Sequence, residues 1–369
     1  MIDAKQTSGV HDSRPMSDSS LLEEKGYLSG QGSIVCFDDN SNLVTDQHDG
    51  HSISFGEPGA GKTTQLGLGQ AIHAIAQNSM IIVDIDHEYS RSLQPFMERQ
   101  GIKCVHLNPS RAYNMPDAGY NPLKGIQRDL KSNNLQRAIR KAKKLSKILV
   151  PITNADDSNV GWIRKGERKW LWISIIAECD RASNPCFSHI YQNLSAGAFE
   201  AIAWVNACTN IDQVLTIADR FHNELLSKAD KQSFWQVDGA AAALEAFAPG
   251  TDIAASTARH GVNFGDLKKR PTCVFVSLES DLIKTDGAWL SSVIACALDE
   301  IAEATGERRV SCLLDEFSNT PAIADFVSSM LTYRKRLIQL HLLCHSPQSL
   351  ERRYNKGEAE EIQAACSQV

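Results

Sequence analysis

The sequence has no apolar run that is long enough to cross a membrane. Its longest apolar stretches, residues 170–177 and 288–298, are far shorter than the roughly 18 residues that a spanning helix needs. Residues 1–20 are polar and lack the apolar segment that a secretory signal contains. We therefore expect an intracellular protein with no transmembrane segment of its own.

Paired cysteines and an excess of positive charge are also missing. The ten cysteines are scattered, and because none forms a Cys-x-x-Cys pair, zinc and redox motifs of that type are excluded. We expect reduced thiols that pack as small apolar side chains. The net charge is −6, so any contact with nucleic acid has to come from a local basic patch.

The composition that remains is that of an ordinary globular protein. Hydrophobic residues make up 42 % and charged residues 22 % of the chain, which excludes disordered, collagen-like and coiled-coil classes. Short β-branched runs alternate with helical patterns, as in an α/β fold with a mainly parallel sheet. The predicted strands are residues 51–55, 80–85, 103–107, 272–278, 310–314 and 338–344.

The strand pattern is interrupted between about residues 125 and 250, where helical periodicity takes over. Residues 135–149 carry one apolar face at the i, i+3, i+4, i+7 spacing. Further helices are predicted over residues 64–76, 162–178, 195–207 and 211–228. We therefore predict a flexible tail over 1–30, an α/β domain in two parts over 31–125 and 251–369, and an inserted all-α domain over 126–250.

A phosphate-binding loop is the strongest motif. Residues 56–63 read GEPGAGKT and fit the pattern G-x-x-x-x-G-K-[ST] between a predicted strand and a predicted helix. Its glycines allow backbone N–H groups to curve around a phosphate, Lys62 can reach the β- and γ-phosphates, and Thr63 can bind Mg²⁺. The alternative is a glycine-rich turn without a ligand. The residues predicted to bind the nucleotide are Gly56, Gly59, Ala60, Gly61, Lys62, Thr63 and Thr64.

Two carboxylates follow the apolar strand at residues 310–314. Asp315 is predicted to hold Mg²⁺ through a water, beside Thr63, and Glu316 to polarise the attacking water. The alternative is an acidic pair that caps the following helix. Because hydrolysis needs a second carboxylate and nucleotide binding does not, Glu316 favours an ATPase.

Further segments, in the same order along the chain, resemble the TraG/TraD family of conjugative coupling proteins, which are hexameric ATPases of type IV secretion within the FtsK/HerA-like DNA pumps. Residues 82–88 (IVDIDHE) resemble the family's D-x-K-G-E segment, and residues 119–123 (GYNPL) its Asn-Pro-Leu element. Residues 266–276 resemble the strand before a Leu-Leu-Asp-Glu-Phe motif, and residues 344–354 (CHSPQSLERRY) its Q-S-x-x-Q-L…Y-G region. The resemblance covers about residues 27–354.

The resemblance implies a RecA-like P-loop ATPase that forms a homohexamer and carries a membrane-distal all-α domain. Such a ring uses ATP and Mg²⁺ to pump single-stranded DNA, bound to a relaxase, toward the type IV secretion channel. Arg334 falls where the family places an arginine finger that acts on the neighbouring subunit, with Arg336 as the alternate. The other interpretation of these arginines is a basic helix end that offsets its own dipole.

The sequence also departs from the family. The usual pair of N-terminal transmembrane helices is missing, which implies a cytoplasmic protein that docks at most peripherally on the inner membrane. His345 stands where a γ-phosphate-sensing glutamine is expected, and Asp86 replaces the D-x-K-G-E lysine. Family members continue with further strands beyond the point that corresponds to Val369, so we expect a fragment or a shortened relative.

These departures keep two other functions open. One is a non-catalytic, nucleotide-gated module that recruits a relaxase-like protein. The other is a soluble FtsK/HerA-like DNA pump that is unrelated to secretion.

One basic stretch stands out in an otherwise acidic protein. Residues 124–147 contain nine Lys or Arg residues and one acid, Asp129. A contact with a nucleic-acid phosphate backbone and a solvated helix face are both consistent with this pattern.

Overall fold

The computed structural model of the protein describes residues 33–37, 43–46, 50–57, 59–152, 158–227 and 232–368. The tail predicted over residues 1–30 lies outside the described residues. Nine cysteines are described as free thiols, of which five are buried and four are partly exposed. No helix in the described ranges is long and apolar enough to span a membrane.

Seven strands form one parallel sheet, and a separate hairpin precedes it. The hairpin pairs β1 (Ser33–Phe37) with β2 (Leu43–Asp46) in the antiparallel direction. The sheet contains β3 (His51–Phe55), β4 (Ser79–Ile85), β5 (Lys103–Leu107), β6 (Thr272–Leu278), β7 (Val310–Leu314), β8 (Ile338–Cys344) and β9 (Cys366–Gln368). Their order is β5-β6-β4-β7-β8-β3-β9, and every neighbouring pair is parallel. The six predicted strands are all present, and the predicted α/β class is confirmed.

Helices cover both faces of this sheet. The described helices are α1 (Leu68–Ile75), α2 (Glu88–Arg99), α3 (Leu123–Lys131), α4 (Leu135–Leu149), α5 (Ser158–Arg181), α6 (Phe187–Ser195), α7 (Ala198–Cys208), α8 (Asp212–Leu226), α9 (Gln232–Ala242), α10 (Asp252–Thr257), α11 (Ile283–Glu303), α12 (Phe326–Tyr333), α13 (Pro347–Tyr354) and α14 (Lys356–Ala364). Successive residues of a strand point to opposite faces. Ile82 accordingly packs in a cluster with α1 and α2, whereas Ile81 packs in the larger core that includes α11. This two-sided burial explains why the strands lack polar alternation.

Eight helices, α3 to α10, lie between β5 and β6, and the described part of this segment contains no strand. Their core includes Trp170 and Phe221, whose rings stack with centroids 4.4 Å apart. The chain enters this segment near Gly119 and leaves it near Gly261, and polar contacts join the two positions. The Gly261 N–H donates to the Gly119 carbonyl at 2.9 Å, and Arg259 pairs with buried Asp117 at 2.5 Å. Gly119 adopts a φ of +72°, and a Cβ there would lie 2.6 Å from the Ser256 carbonyl oxygen, so the close crossing requires glycine.

Candidate functional site

All predicted site residues except Arg334 meet at one edge of the sheet. Residues 56–63 follow β3, Asp315 and Glu316 follow β7, and His345 follows β8. Because all these strands are parallel, their carboxyl ends lie at the same edge, which is where open α/β sheets place ligand sites. The fold therefore joins segments that are separated by more than 250 residues in the sequence.

The described residues of the loop, 56–57 and 59–63, have the backbone of a phosphate cradle. Gly59 and Gly61 adopt φ angles of +79° and +80°, a region that disfavours other residues. Lys62 folds back over the loop and donates from Nζ to the Gly56 carbonyl at 2.5 Å and to the Glu57 carbonyl at 3.2 Å. A Cβ on Gly56 would lie 3.0 Å from Lys62 Cγ, so a larger residue at this position would press on the lysine side chain. The loop fits a phosphate group, with Lys62 held beside it by neutral carbonyls.

The helix after the loop differs in detail from the prediction over residues 64–76. Its first turn, Lys62–Gly67, is a π-helical turn that continues into α1. Thr64 is exposed, and its hydroxyl donates to the Gly61 carbonyl at 3.4 Å. The N-terminus of the helix still follows directly on the loop, which is the arrangement that anion sites at helix N-termini use.

Thr63 and Asp315 are brought together across the edge. The Thr63 hydroxyl donates to Asp315 Oδ2 at 3.2 Å, and the Glu316 N–H donates to Asp315 Oδ1 at 2.8 Å. Asp315 is 5 % exposed, and burial raises the pKa of its carboxyl above the usual range. A hydroxyl and a carboxylate are oxygen ligands of the kind that Mg²⁺ prefers, so these two residues fit the predicted ion.

Glu316 is held by two side chains that bind the same oxygen. Asn319 Nδ2 donates to Glu316 Oε2 at 2.5 Å, and His345 Nε2 donates to the same oxygen at 2.6 Å. The backbone of Glu316 adopts a φ of +52°, an uncommon conformation for a residue with a side chain. The other ring nitrogen of His345, Nδ1, is buried and has no partner in the described structure. The predicted base and the predicted γ-phosphate sensor are therefore in direct contact.

An open cleft lies beside these residues. It has a volume of about 510 Å³ and is lined by Thr63, Ile85, Asp86, Glu88, Ser280, Ile283, Lys284, Asp315, Glu316, Asn319 and Arg353. We call these residues, together with Lys62 of the adjoining loop, the cleft. Sequence reasoning missed Asn319 and Arg353, and it missed Tyr89, whose hydroxyl donates to Asp315 Oδ2 at 3.0 Å. The only signal in the sequence was proximity, because Asn319 follows Glu316 by three residues and Arg353 precedes Tyr354 of the last motif.

The segment at residues 82–88 supports the cleft through its carboxylates. Buried Asp84 accepts from the N–H groups of Tyr89 and Ser90 at 2.8 Å each, and so fixes the start of α2. Asp86, at the position of the family's lysine, accepts from the Ser280 N–H at 2.9 Å. This bond links the end of β4 to the segment after β6, so Asp86 carries a structural contact where the family has a cation.

The predicted arginine finger is placed at the opposite edge of the sheet. Arg334 and Arg336 form an exposed turn between α12 and the amino end of β8. Burial lowers the pKa of His51 at the amino end of β3, and the charge of Arg334 lowers it further. Since the loop at residues 56–63 follows the carboxyl end of β3, a strand length of roughly 16 Å separates these arginines from the cleft.

The basic stretch at residues 124–147 is mostly ion-paired with acids of this chain. The pairs are Arg128, Arg137 and Lys141 with Glu303, Lys144 with Asp299, and Lys147 with Asp325. Another of the nine basic residues, Lys143, lies 4.9 Å above the ring of Trp172. Because Asp299 and Glu303 belong to α11, these ion pairs join α4 to the helix that covers the sheet. Five of the nine basic side chains are held in these pairs, so a phosphate backbone would have to compete with ion pairs inside this chain.

Comparisons with known proteins agree with this architecture. A sequence model of the family described as "Type IV secretory system Conjugative DNA transfer" matches residues 11–369. No curated protein sequence matches the chain significantly. Among solved structures, the plasmid coupling protein TrwB in complex with the non-hydrolysable ATP analogue ADPNP has a TM-score of 0.67 and 15 % identity, over 95 % of this chain and 76 % of that one.

Two further structures extend the comparison. TrwB in complex with ADP and Mg²⁺ has a TM-score of 0.65 and 15 % identity, over 95 % of this chain and 76 % of that one. VirB4 of Thermoanaerobacter pseudethanolicus has a TM-score of 0.51 and 12 % identity, over 90 % of this chain and 82 % of that one. At these identities the likeness concerns the fold, which is the predicted P-loop NTPase architecture.

Proposed function

We propose a function from one premise, which is that the chain belongs to the type IV secretory system conjugative DNA transfer family. On this premise the chain is an ATP-hydrolysing coupling protein that moves single-stranded DNA with its relaxase to a type IV secretion channel. The observation that carries the proposal is the meeting of Lys62, Thr63, Asp315 and Glu316 at one edge of the sheet. That TrwB, with the same fold, was solved with ADPNP and with ADP and Mg²⁺ supports ATP and Mg²⁺ as the ligands.

The geometry assigns a distinct role to each side chain. Lys62, now bonded only to carbonyls of its own loop, is available to exchange them for phosphate oxygens. Thr63 and Asp315 would hold Mg²⁺, which when bound neutralises charge on the phosphates. Glu316 is fixed through Oε2, so its Oε1 can orient a water and accept its proton. His345 and Asn319 keep that carboxylate in place.

A complete site needs a second subunit in this proposal. Arg334 lies on the opposite edge from its own cleft, so it acts as a finger on the neighbouring subunit of a homohexamer, with Arg336 as the alternate. A finger supplied by a neighbour is worth roughly 10³- to 10⁵-fold in turnover, so hydrolysis should depend on assembly. The ring works in the cytoplasm, docked peripherally at the inner membrane.

The test is ATP turnover measured with and without single-stranded DNA over a series of protein concentrations. The proposal predicts turnover that rises with DNA and steeply with concentration, and that is lost in Lys62→Ala and Glu316→Gln. Arg334→Ala should abolish the concentration-dependent part, and mixing it with Glu316→Gln should restore some turnover, because each variant supplies what the other lacks. Turnover that is linear in protein concentration and unaffected by Arg334→Ala and Arg336→Ala would contradict the shared site.

One observation favours a non-catalytic recruitment module as the second candidate. His345 holds Glu316 at 2.6 Å, and this contact could keep the base away from its water. Nucleotide binding without turnover, with DNA present at high protein concentration, would favour that module. The family match supports a role in secretion over a DNA pump that is unrelated to it.

A further inference from the structure

Tyr89 is a buried phenol that touches the predicted Mg²⁺ ligands. Its side chain is 0 % exposed, and its hydroxyl donates to Asp315 Oδ2 at 3.0 Å. The same carboxylate oxygen accepts the Thr63 hydroxyl at 3.2 Å. Tyr89 therefore lies at the back of the pair that would hold the ion, on the side away from solvent.

The position of this hydroxyl is fixed from both ends of the residue. Its backbone N–H donates to Asp84 Oδ1 at 2.8 Å, and the N–H of Ser90 donates to the other oxygen of Asp84 at 2.8 Å. At the far end, a Cβ on Gly67 would clash with the Tyr89 hydroxyl. Glycine in the turn after Lys62 thus leaves the space that the hydroxyl occupies. Two separate segments of the chain are adapted to this one contact.

The contact fixes the orientation of the Asp315 carboxylate. Tyr89 and Thr63 both donate to Oδ2, and the Glu316 N–H donates to the other oxygen, Oδ1, at 2.8 Å. Because Tyr89 belongs to α2 and Thr63 follows the phosphate-binding loop, the two hydroxyls hold Oδ2 from separate segments of the chain. Carboxylate oxygens are ligands that a hard divalent cation prefers, so this orientation decides how well Asp315 can serve one.

We infer that Tyr89 is a positioning residue that orients Asp315 toward Thr63 and thereby sets the Mg²⁺ affinity of the nucleotide site. The inference rests on the proposed function, because it concerns the ion that accompanies the nucleotide. Tyr89 acts through Asp315 and is not assigned any contact with the nucleotide itself.

The experiment measures binding of ADP to Tyr89→Phe over a range of Mg²⁺ concentrations and in EDTA, by isothermal titration calorimetry. Loss of one hydrogen bond to a charged group should raise the Mg²⁺ concentration for half-maximal binding about tenfold. Affinity for ADP in EDTA should stay at the wild-type value, and excess Mg²⁺ should restore binding. The matched control is Tyr120→Phe, since the buried Tyr120 hydroxyl donates to the buried carboxylate of Glu300 at 2.9 Å, outside the cleft. This control should leave the Mg²⁺ dependence unchanged.

Two results would overturn the inference while the proposed function stands. One is an identical Mg²⁺ dependence in Tyr89→Phe and wild type. The other is a loss of ADP affinity that is equal in EDTA and in Mg²⁺, which would show that Tyr89 supports only the shape of the loop. Gly67→Ala provides a second variant, because its Cβ displaces the hydroxyl, and it should shift the Mg²⁺ dependence in the same direction. A wild-type protein that binds no ADP at any Mg²⁺ concentration would instead refute the nucleotide site as well.

Discussion

The cleft and the interface between α4 and α11 both carry several charged side chains, but their partners differ. In the α4–α11 interface, Lys144 lies 2.7 Å from Asp299 and Lys141 lies 3.0 Å from Glu303, so opposite charges meet. In the cleft, Lys62 bonds to carbonyls and Asp315 to hydroxyls and an N–H. Ion pairs of the first kind stabilise the fold. Charged side chains that bond to neutral groups can still bind a charged ligand.

The pKa values of two carboxyls show the same difference. Burial opposes ionisation of Glu303, but the bonds and charges of Arg137 and Lys141 outweigh it and hold the pKa of this carboxyl below its usual range. Burial raises the pKa of the Asp315 carboxyl, and its hydrogen bonds only partly offset this. The ionised form of Glu303 is therefore stabilised by the fold, while the ionised form of Asp315 costs stability that a bound cation would return.

The largest expected effect is the loss of ATP turnover in Glu316→Gln. Its absence would contradict the role that the comparison gives to the cleft. Glu316→Gln keeps an oxygen for Asn319 and His345 but cannot accept a proton, so ATP turnover should fall by roughly 10²- to 10⁴-fold. Nucleotide binding should stay within about twofold of wild type. Turnover at the wild-type rate would show that the cleft is not organised around this carboxylate.

A smaller effect is expected at His345. In His345→Ala, Glu316 keeps only Asn319, and turnover should fall about tenfold because a bond to a charged group is lost. His345→Gln restores a donor and the residue that the family carries, so its turnover should equal or exceed that of wild type. If His345→Ala is faster than wild type, the histidine restrains the base, which would favour the recruitment module.

The smallest effect compares two isosteric substitutions by urea denaturation at neutral pH. Glu303→Gln removes the acid that Arg137 and Lys141 bind, so the free energy of unfolding should fall by about 1 kcal/mol. Asp315→Asn removes a carboxylate that burial disfavours, so the free energy of unfolding should stay the same or rise. The opposite ranking would mean that the α4–α11 interface does not hold its two helices together.

The contributions of Glu303 and Asp315 to stability should depend on pH in opposite directions. Because the pKa of Glu303 is lowered on folding, its contribution is present above the unfolded value of about 4.3 and is lost as pH falls through the folded pKa. The pKa of Asp315 is raised on folding, so its cost is present at neutral pH and disappears as pH falls through the folded pKa. Carboxyl titration by NMR should place Glu303 below the usual range and Asp315 above it.

The sequence predicted the parts of the fold whose cause is local. Strands such as β4 and β7 are continuous β-branched or apolar runs because helices cover both of their faces, and the runs are visible without the fold. β9 is three residues long and polar, so neither periodicity nor apolar content distinguished it. β1 and β2 were not predicted either, although β1 is as long as β3. The joining of β9 to the edge of the sheet depends on β3, which lies more than 300 residues earlier.

The residues of the site also divide into those that a local pattern predicts and those that only the packing of the fold brings together. Lys62, Thr63 and Asp315 were predictable because fixed spacing and the preceding strand determine their positions. Tyr89 and Arg353 reach the cleft only through packing of α2 and α13, which no local pattern encodes. The charge of residues 124–147 was visible in the sequence, but its acidic partners on α11 lie about 160 residues away, so its role could not be inferred.

The most direct test of this account uses one lysine from each region, Lys62→Ala and Lys144→Ala, in urea denaturation with and without ATP and Mg²⁺. At a nucleotide concentration about 100 times the Kd, a bound ligand should stabilise the wild type by about 2.7 kcal/mol. Lys62→Ala should lose this stabilisation and keep the stability of the ligand-free protein. Lys144→Ala should lose about 1 kcal/mol of that stability and keep the stabilisation by nucleotide. Nucleotide stabilisation that survives in Lys62→Ala, or is lost in Lys144→Ala, would contradict it.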